Sequence, residues 1–394
     1  MIASAIIELC AFHLNKAYKM AYEISISRRL RSTPFTQRVT ENGVKSYTVY
    51  NNMLLPTVFR TLEDDYWHLC EHVQVWDVSV ERQVEIIGPD AYELIQLMTP
   101  RDLSKAQIGQ CFYLPLCDEN GTLINDPIAT KHNDNAWWLS IADSDVYLWA
   151  KGLATGFGFD VEVIEPDVWP LAVQGPKAEE LMARVFGDDI RNIRFFRSEM
   201  RNYAGKDMMI ARSGWSKQGG FEIYVNDISL GLTLWDELFE KGADLNVGPG
   251  CPNNIERIES GLMSFGNDMD YKDTPYECDL EKYVSIDADI KSLSIDALRK
   301  HQSTRKLMGL IIDHPVTFGD MNVLQNGQSI GEVRSQTWSP KYQSQLAFAM
   351  LDLKGIEGQT EVIINTDTGP ATARLATLPF NFKDLGMVEH PKQT

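Results

Sequence analysis

The sequence predicts an α+β protein in which two related lobes are followed by a C-terminal antiparallel β-barrel domain. Short apolar strands alternate with longer amphipathic stretches in the first half of the chain, which is typical of a mixed architecture. A strand, a Gly-Pro turn and a helix occur twice, with the turns at Gly88-Pro89 and Gly175-Pro176, as they would in a duplicated unit. Beyond Arg305, short strands are separated by glycine turns, which indicates a small antiparallel sheet or barrel.

These patterns divide the chain into consecutive segments. We expect an N-terminal extension at 1–24, a first lobe at 25–165, a second lobe at 166–284, a linker at 285–304 and the barrel domain at 305–394. The extension is either a short accessory helix or the product of an upstream start codon, with Met20 the alternative first residue. Its apolar stretch is too short for a membrane span and lacks the basic start and the cleavage site of a secretory signal.

Local signals place the elements of the two lobes. Thr61 and the acidic residues after it mark the start of a helix, and Asp90 is expected to cap another at Ala91–Met98. The helix that Thr61 starts is predicted at Leu62–His72. Strands of the first lobe are predicted at Val73–Val78 and Gln83–Gly88. In the second lobe, a strand at Leu171–Pro176 leads into a helix at Lys177–Val185.

The linker and the barrel domain have different patterns. Residues 285–304 are polar and do not alternate, as in a connecting helix or linker. Asn326-Gly327 is the clearest hairpin signal in the chain, because both residue types accept a positive φ. Barrel strands are predicted at Leu307–Ile312, Gln328–Val333, Leu346–Leu351 and Glu361–Asn365.

Length and composition exclude several classes of function. The 394 residues suffice for two or three domains. Lys and Arg number 37 against 55 Asp and Glu, and the net charge of −18 would repel a phosphate backbone, so nucleic acid is not an expected partner. No apolar run reaches the roughly 18 residues of a membrane span, so no membrane is expected either. The six cysteines contain no Cys-x-x-Cys pair and are typical of reduced thiols in a cytoplasmic protein.

The common catalytic motifs are absent from the sequence. There is no phosphate loop, Gly156-Phe157-Gly158 lacks the third glycine of a dinucleotide fingerprint, and Lys217 stands where a nucleophile elbow needs glycine. His68 and His72 are spaced like metal ligands on one helix face, but the glutamate is misplaced for a zinc-protease motif and a third ligand is needed. We favour a structural role for both histidines and expect no metal.

Two acidic residues lie in otherwise apolar strand segments. Asp126 follows Leu123–Asn125, and its burial would be unfavourable unless a group bonds to it. It is either a structural carboxylate that satisfies turn amides or a working group of a site. Glu222 shares a strand face with Tyr224, which is either a solvated face or part of a site.

The segments around these residues resemble the aminomethyltransferase (glycine-cleavage T-protein) family of tetrahydrofolate-dependent enzymes. The likeness runs from about Arg28 to about Leu351. The matching strings are Trp76–Ser79, Gly88–Ala91, Asn125-Asp126, Leu171–Lys177, Arg212–Glu222, Arg257–Asp268, Thr274–Glu277 and Arg305–Leu310. The resemblance implies two folate-cleft lobes with a folate in a central cleft, and tetrahydrofolate as the methyl-accepting co-substrate.

The resemblance also assigns expected roles in that cleft. Asp126 would orient the pterin or take up the N5 proton, Glu222 would contact the pterin, and Tyr113 would line the cleft. Arg257 would bind the folate glutamate tail or a substrate carboxylate, with a plain ion pair as the alternative.

Within the family, three strings most resemble the dimethylsulfoniopropionate demethylases: Arg28–Phe35, Glu71–Val78 and Trp215–Gly220. The departures from the glycine-cleavage enzyme lie at Asn125, Val80-Glu81 and Trp215–Gln218. The implied reaction moves a methyl group from a sulfonium to N5 of tetrahydrofolate. The alternatives are an aminomethyltransferase, another folate-dependent demethylase, or a non-catalytic folate-binding regulatory protein.

The implied substrate is a small zwitterion, which requires aromatic faces for its cation. Trp169, Trp215 and Tyr276 are the expected faces, with Tyr113 as an alternative, although core packing is the competing explanation for any tryptophan. We also expect a homodimer.

Overall fold

The protein is described by a computed structural model that covers Ile24 and residues 27–392. The predicted extension at 1–24 therefore lies outside the described residues except for Ile24, and so does Cys10. In the described part of the chain, no helix has both the length and the apolar character needed to cross a membrane.

The α-helices and strands are numbered in chain order. The helices are α1 (Thr36–Glu41), α2 (Leu62–Glu71), α3 (Ala91–Met98), α4 (Val146–Phe157), α5 (Ala178–Phe186), α6 (Gly231–Lys241), α7 (Asn254–Ser260), α8 (Ile295–Lys300) and α9 (Leu353–Ile356). Short 3-10 helices lie at Asp188–Asn192, Ile228–Leu230, Ala243–Leu245 and Glu281–Tyr283. The strands before the barrel are β1 (Ser46–Tyr50), β2 (Met53–Val58), β3 (Val73–Asp77), β4 (Gln83–Ile87), β5 (Cys111–Tyr113), β6 (Leu116–Cys117), β7 (Leu123–Asn125), β8 (Ile128–Asn133), β9 (Ala136–Ser140), β10 (Glu162–Ile164), β11 (Trp169–Gln174), β12 (Ser198–Tyr203), β13 (Lys206–Ala211), β14 (Gly220–Val225) and β15 (Val247–Gly250). The barrel strands are β16 (Arg305–Ile312), β17 (Phe318–Gln325), β18 (Gln328–Ser339), β19 (Ser344–Asp352), β20 (Glu361–Thr366) and β21 (Gly369–Ala376).

Two sheets form the centre of the lobes and face each other. One has five antiparallel strands in the order β10-β4-β9-β8-β5, and the other has six in the order β12-β13-β14-β11-β3-β15. Helices α3 and α4 pack on the outer face of the first sheet, and α5 and α6 pack on the outer face of the second. The inner faces meet at a smaller apolar cluster that contains Cys111, Met209 and Tyr224. Polar residues on these inner faces therefore lie between the lobes.

Strand β3 lies in a different sheet from the one its position in the chain suggests. It was expected within the first lobe, 25–165, but it pairs antiparallel with β11 and parallel with β15. All five of its residues are buried, so the strand needs a neighbour on each edge and apolar contacts on its outer face. The chain thus passes from the six-stranded sheet to the five-stranded one within the turn at 78–82.

The two Gly-Pro turns are built alike. A Cβ atom on Gly88 would lie 2.3 Å from the Asp160 carbonyl oxygen, and one on Gly175 would lie 2.4 Å from that of His72. Both glycines also have positive φ, at 147° and 124°, so each turn needs glycine for close backbone approach and for conformation.

Helix α3 has its predicted bounds, but the predicted cap is wrong. Asp90 occupies the N-cap position and makes no side-chain bond to its own helix. Its carboxylate instead accepts a 2.8 Å hydrogen bond from the Asp160 backbone N–H. The Gly88 turn packs against the Asp160 backbone, so this non-local amide takes the acceptor that a helix amide would otherwise use.

The C-terminal domain is a closed six-stranded barrel, as predicted. Its strands follow the order β16-β19-β18-β17-β20-β21 with antiparallel pairing throughout. Asn326 and Gly327, with φ of 50° and 76°, connect the paired residues Gln325 and Gln328, which confirms the two-residue hairpin. One apolar cluster joins barrel residues such as Phe348 to lobe residues such as Leu123, so barrel and lobes share a core.

Candidate active site

Three carboxylates are supplied by different elements around the interface of the two sheets. Asp126 directly follows β7, Glu222 is the third residue of β14, and Glu81 lies in the turn between β3 and β4. The negative charges of Glu222 and Asp126 both raise the pKa of Glu81. The charges of Glu81 and Asp126 likewise raise the pKa of the Tyr50 hydroxyl. The three groups therefore lie in one electrostatic neighbourhood.

The strand register explains why Glu222 faces this neighbourhood. Glu222 pairs with Ala172, which pairs with Trp76, so these side chains share the inner face of the six-stranded sheet. Tyr224 lies two residues further along the same face, and its hydroxyl is 3.3 Å from Ser140 Oγ on the opposing sheet. Ser140 Oγ in turn donates to Gln83 Oε1 at 2.9 Å. This hydroxyl network joins the two sheets beside the carboxylates.

Asp126 is the carboxyl best suited to proton transfer. The Tyr113 hydroxyl donates a 2.9 Å hydrogen bond to its Oδ2. Burial raises the pKa of Asp126 to about 7, the bond from Tyr113 opposes that rise, and the nearby Asp268 carboxylate adds to it. A half-buried carboxyl with this pKa can accept or release a proton near neutral pH.

Glu222 is more deeply buried than Asp126. Its side chain is buried at 7% exposure, and the Ser213 hydroxyl donates to Oε2. Burial raises the pKa of Glu222, while hydrogen bonds from Ser213 and Tyr224 oppose the rise. Ser213 adjoins the glycine loop before β14, so the Arg212–Glu222 segment positions both partners.

Arg257 is placed by the structure in a network of protein partners. Its Nη1 donates to Asp268 Oδ2 at 2.7 Å, its Nε to Asn254 Oδ1 at 2.9 Å and its Nη2 to Ser335 Oγ at 2.8 Å. Arg257 is 5% exposed and Asp268 is fully buried. The guanidinium therefore connects α7 and the following loop to barrel strand β18. The charge of its partner Asp268 contributes to the raised pKa of Asp126.

The structure separates the predicted aromatic faces. Trp215 lies on the loop that carries Ser213, the donor to Glu222, with the Arg257 guanidinium 5.9 Å from its ring centroid. Trp169 lies on the outer face of the six-stranded sheet, packs against the apolar core and donates from Nε1 to Asp167. Tyr276 stacks on His301 with centroids 6.0 Å apart. Neither Trp169 nor Tyr276 is brought to the three carboxylates.

Two further residues, Tyr283 and Arg101, contact Tyr113 at the predicted site. The Tyr283 ring lies 4.8 Å from that of Tyr113, and Arg101 Nη1 donates to the Tyr113 carbonyl oxygen at 2.8 Å. Nothing in their local sequence marks either residue as part of a site. The only feature of the sequence that marks Glu81 is its departure from the pattern of the glycine-cleavage enzyme.

The His68 and His72 pair makes other contacts. Their rings are 5.1 Å apart, but His72 Nδ1 lies 3.1 Å from the Lys177 ammonium. Burial, and then the charge of Arg60, lower the pKa of His68 to about 4. Among the described residues no group of three potential ligands is arranged to hold a metal ion.

The carboxylates around the interface fit the donor-rich edge of a reduced pterin. That edge presents N–H groups, and Glu222 and Asp126 are acceptors. Within residues 27–392, neither carboxylate has a lysine or arginine within ion-pairing distance. Both carboxylates can therefore still accept hydrogen bonds from a ligand. The rings of Tyr113 and Tyr283 add an aromatic surface next to Asp126.

Comparison with known families agrees with this fold. The family model described as the GCVT N-terminal domain matches residues 35–288, and that described as the glycine cleavage T-protein C-terminal barrel domain matches residues 305–381. The chain therefore belongs to the glycine-cleavage T-protein family.

The chain is also similar to individual proteins of known type. The chain is 49% identical over 353 residues to the dimethylsulfoniopropionate demethylase DmdA of Ruegeria pomeroyi, which covers 88% of this chain and 97% of that protein. It is 29% identical over 348 residues to an aminomethyltransferase of Caldanaerobacter subterraneus subsp. tengcongensis, which covers 85% of this chain and 92% of that one. The crystal structure of the glycine cleavage system aminomethyltransferase T from Bartonella henselae has the same fold, with a TM-score of 0.78, 23% identity, and coverage of 89% of this chain and 98% of that one.

Proposed function

We propose that this protein is a tetrahydrofolate-dependent dimethylsulfoniopropionate demethylase. It moves one methyl group from the sulfonium to N5 of tetrahydrofolate, and the products are 3-methylthiopropionate and 5-methyltetrahydrofolate. The observation that carries the proposal is the 49% identity to DmdA across 97% of that protein's length. The carboxylate-rich interface between the lobes supports it, because it offers acceptors for the pterin and negative charge for a cationic donor.

The methyl donor requires little activation by the protein. A sulfonium methyl is already electrophilic, since its carbon–sulfur bond breaks with the electron pair left on sulfur and a neutral thioether departs. Tetrahydrofolate supplies N5 as the nucleophile, and one proton must leave that nitrogen after transfer. The protein contributes mainly by holding the two reactants in line and by excluding water.

Asp126 is the residue that receives this proton. With its pKa at about 7, a useful fraction of the carboxyl is ionised at neutral pH and can accept the proton. Tyr113 positions the acceptor, because its hydroxyl is bonded to Oδ2 at 2.9 Å. Proton release completes the balance: one methyl group moves, one thioether forms and one proton reaches solvent through the carboxyl.

Glu222 is the residue that binds the pterin. Two carboxylate oxygens can accept from the ring N–H and the 2-amino group together, in a bidentate arrangement. Ser213 occupies Oε2 from one side and thereby fixes the rotamer of Glu222. Of Trp169, Trp215 and Tyr276, Trp215 is the best placed to contact the sulfonium, because it lies on the loop that carries Ser213.

The deciding assay offers the protein tetrahydrofolate and dimethylsulfoniopropionate and detects 3-methylthiopropionate by mass spectrometry. Glycine betaine is run in parallel, because a quaternary ammonium would suit the same cation site. Equal or faster turnover of betaine would overturn the substrate assignment. Formation of 5,10-methylenetetrahydrofolate with a lipoyl carrier would identify an aminomethyltransferase instead, and folate binding with no methyl donor turned over would identify a non-catalytic binding protein.

We further propose that the protein acts in the cytoplasm as a homodimer, at a point where sulfur metabolism meets one-carbon metabolism. All five described cysteines are free, in keeping with a reducing compartment. Light scattering of the purified protein tests the dimer, and cell fractionation tests the location.

A further inference from the structure

Glu81 is a carboxyl group at this site to which the proposed mechanism assigns no role. It lies in the turn that carries the chain from β3 in one sheet to β4 in the other, and its N–H donates to the Val78 carbonyl oxygen at 2.9 Å. The next residue, Arg82, turns away and binds Glu165 at 2.6 Å. Glu81 itself is half-buried.

The other carboxylates nearby have protein donors, whereas no described residue donates to the Glu81 side chain. Tyr113 donates to Asp126, Ser213 to Glu222, and Arg257 to Asp268. Over the described range 27–392, the Glu81 side chain makes no hydrogen bond and no ion pair, although its backbone carbonyl accepts from Gln83 at 2.8 Å. A half-buried carboxyl without a protein partner has lost part of its hydration, and a ligand of opposite charge would compensate for that loss.

Hydrogen bonds link Glu81 to the inner face that carries Tyr224 and Glu222. Gln83 Nε2 donates to the Glu81 carbonyl oxygen, and Gln83 Oε1 accepts from Ser140, whose Oγ lies 3.3 Å from the Tyr224 hydroxyl.

A positive ligand suits these surroundings. Burial raises the pKa of Glu81 well above its usual range, and the charges of Glu222 and then Asp126 add to the rise. A cation placed among the three carboxylates would relieve this repulsion. A sulfonium carries no N–H group, so it needs a negative charge nearby and not a hydrogen-bond acceptor with fixed geometry. A carboxylate that accepts no hydrogen bond from a described residue meets this need.

We propose that Glu81 is the counter-charge that binds the sulfonium group of the substrate and thereby sets the preference for a cationic methyl donor. The proposal rests on the proposed function, because it takes the donor to be a sulfonium zwitterion. It has a consequence for turnover. Methyl transfer converts the sulfonium into a neutral thioether, so the attraction to Glu81 is lost and the product is released more readily than the substrate.

The test compares two molecules that differ at this one end. Dimethylsulfoniopropionate and 3-methylthiopropionate share the propionate group, but only the first is a cation. In Glu81→Gln we expect the KM for dimethylsulfoniopropionate to rise about tenfold or more, since one partner of an enclosed charge pair is lost. Inhibition by 3-methylthiopropionate and the affinity for tetrahydrofolate are expected to stay within about twofold of the wild type.

Glu85→Gln is the matched control, because Glu85 is also half-buried and lies four residues further along, on β4. It is expected to behave as the wild type with both molecules. Glu81→Asp keeps the charge at shorter reach and should give an intermediate KM. Thermal unfolding of each variant shows whether it is folded, and an unfolded Glu81→Gln leaves Glu81→Asp to decide by the same comparison.

Two results would overturn the inference: an unchanged KM in Glu81→Gln, or equal weakening of substrate and thioether. These are distinct from failure of the proposed function, which is the absence of 3-methylthiopropionate from the wild-type reaction. In that event, calorimetric binding of dimethylsulfoniopropionate and of its thioether to the wild type and to Glu81→Gln still decides whether Glu81 recognises the cation.

Discussion

The hydroxyl of Tyr113, at the end of β5, donates a 2.9 Å hydrogen bond to Oδ2 of Asp126, which follows β7. The bond counteracts the burial that raises the pKa of Asp126 to about 7. It therefore increases the fraction of the proposed proton acceptor that is ionised at neutral pH.

Removal of this donor should shift the pH dependence of turnover. In Tyr113→Phe the pKa of Asp126 is expected to rise further, because the bond that favours its ionised form is gone. The midpoint of kcat against pH should move to higher pH, with kcat at pH 7 reduced by about three- to tenfold. Tyr271→Phe is the control, since that side chain is 58% exposed. An unchanged midpoint would contradict the role given to the bond.

Replacement of the acceptor itself should have a larger effect. Asp126→Asn is expected to lower kcat by about a hundredfold at saturating concentrations of both substrates, since a positioned general base is lost. Wild-type kcat should fall as the pH is lowered through about 7, because only the ionised carboxyl accepts a proton, and the variant should lack this fall. Asp134→Asn, at an exposed surface pair with Lys131, should leave both properties unchanged. Full turnover in Asp126→Asn would remove Asp126 from the mechanism.

The network around Arg257 predicts a loss of stability. Arg257→Ala leaves the fully buried Asp268 without its partner, and we expect the free energy of unfolding to fall by about 3–5 kcal/mol in urea titrations. Arg374→Ala removes an exposed pair with Asp313 and should change the free energy of unfolding by less than about 1 kcal/mol. If Arg257→Ala kept its stability and lost only affinity for folate, the arginine would be a ligand-binding residue and not a connection to the barrel.

Glu259 should make stability depend on pH. Tyr66 donates to its Oε2 at 2.7 Å and Ser339 donates to its Oε1, and burial raises its pKa to about 7. The native state therefore keeps a proton that the unfolded state, with a pKa of about 4.5, has already released. The contribution of Glu259 is favourable below about pH 4.5 and is lost as the pH rises through about 7.

Glu259→Gln tests this sign. The variant should lose less free energy of unfolding than the wild type between pH 5 and pH 7.5, by roughly 2–3 kcal/mol. Urea titrations at the two pH values measure the difference, and Glu361→Gln, at the exposed start of β20, is the control. Equal losses in wild type and variant would show that the Glu259 carboxyl does not titrate in this range.

Elements with strong local signals could be predicted from the sequence. Helix α3 has its predicted bounds at Ala91–Met98, and the hairpin at Asn326-Gly327 forms as the turn chemistry requires. The Asp90 cap could not be predicted in the same way, because its acceptor is used by the Asp160 amide, 70 residues further along the chain. Local patterns describe a helix start but not a distant competitor for the same side chain.

The sequence by itself determined the α+β class, the barrel, the family resemblance, and the residue types of the site at Tyr113, Asp126 and Glu222. Only the tertiary structure decided which side chains lie together. In the tertiary structure, β3 belongs to the six-stranded sheet and Trp169 lies on the outer face of that sheet. Arg257 has protein partners, whereas the Glu81 side chain has no hydrogen-bond partner among the described residues. The physical reason is range: turn chemistry, periodicity and motif strings act over a few residues, whereas the face and partners of a side chain follow from register between strands that are distant in sequence.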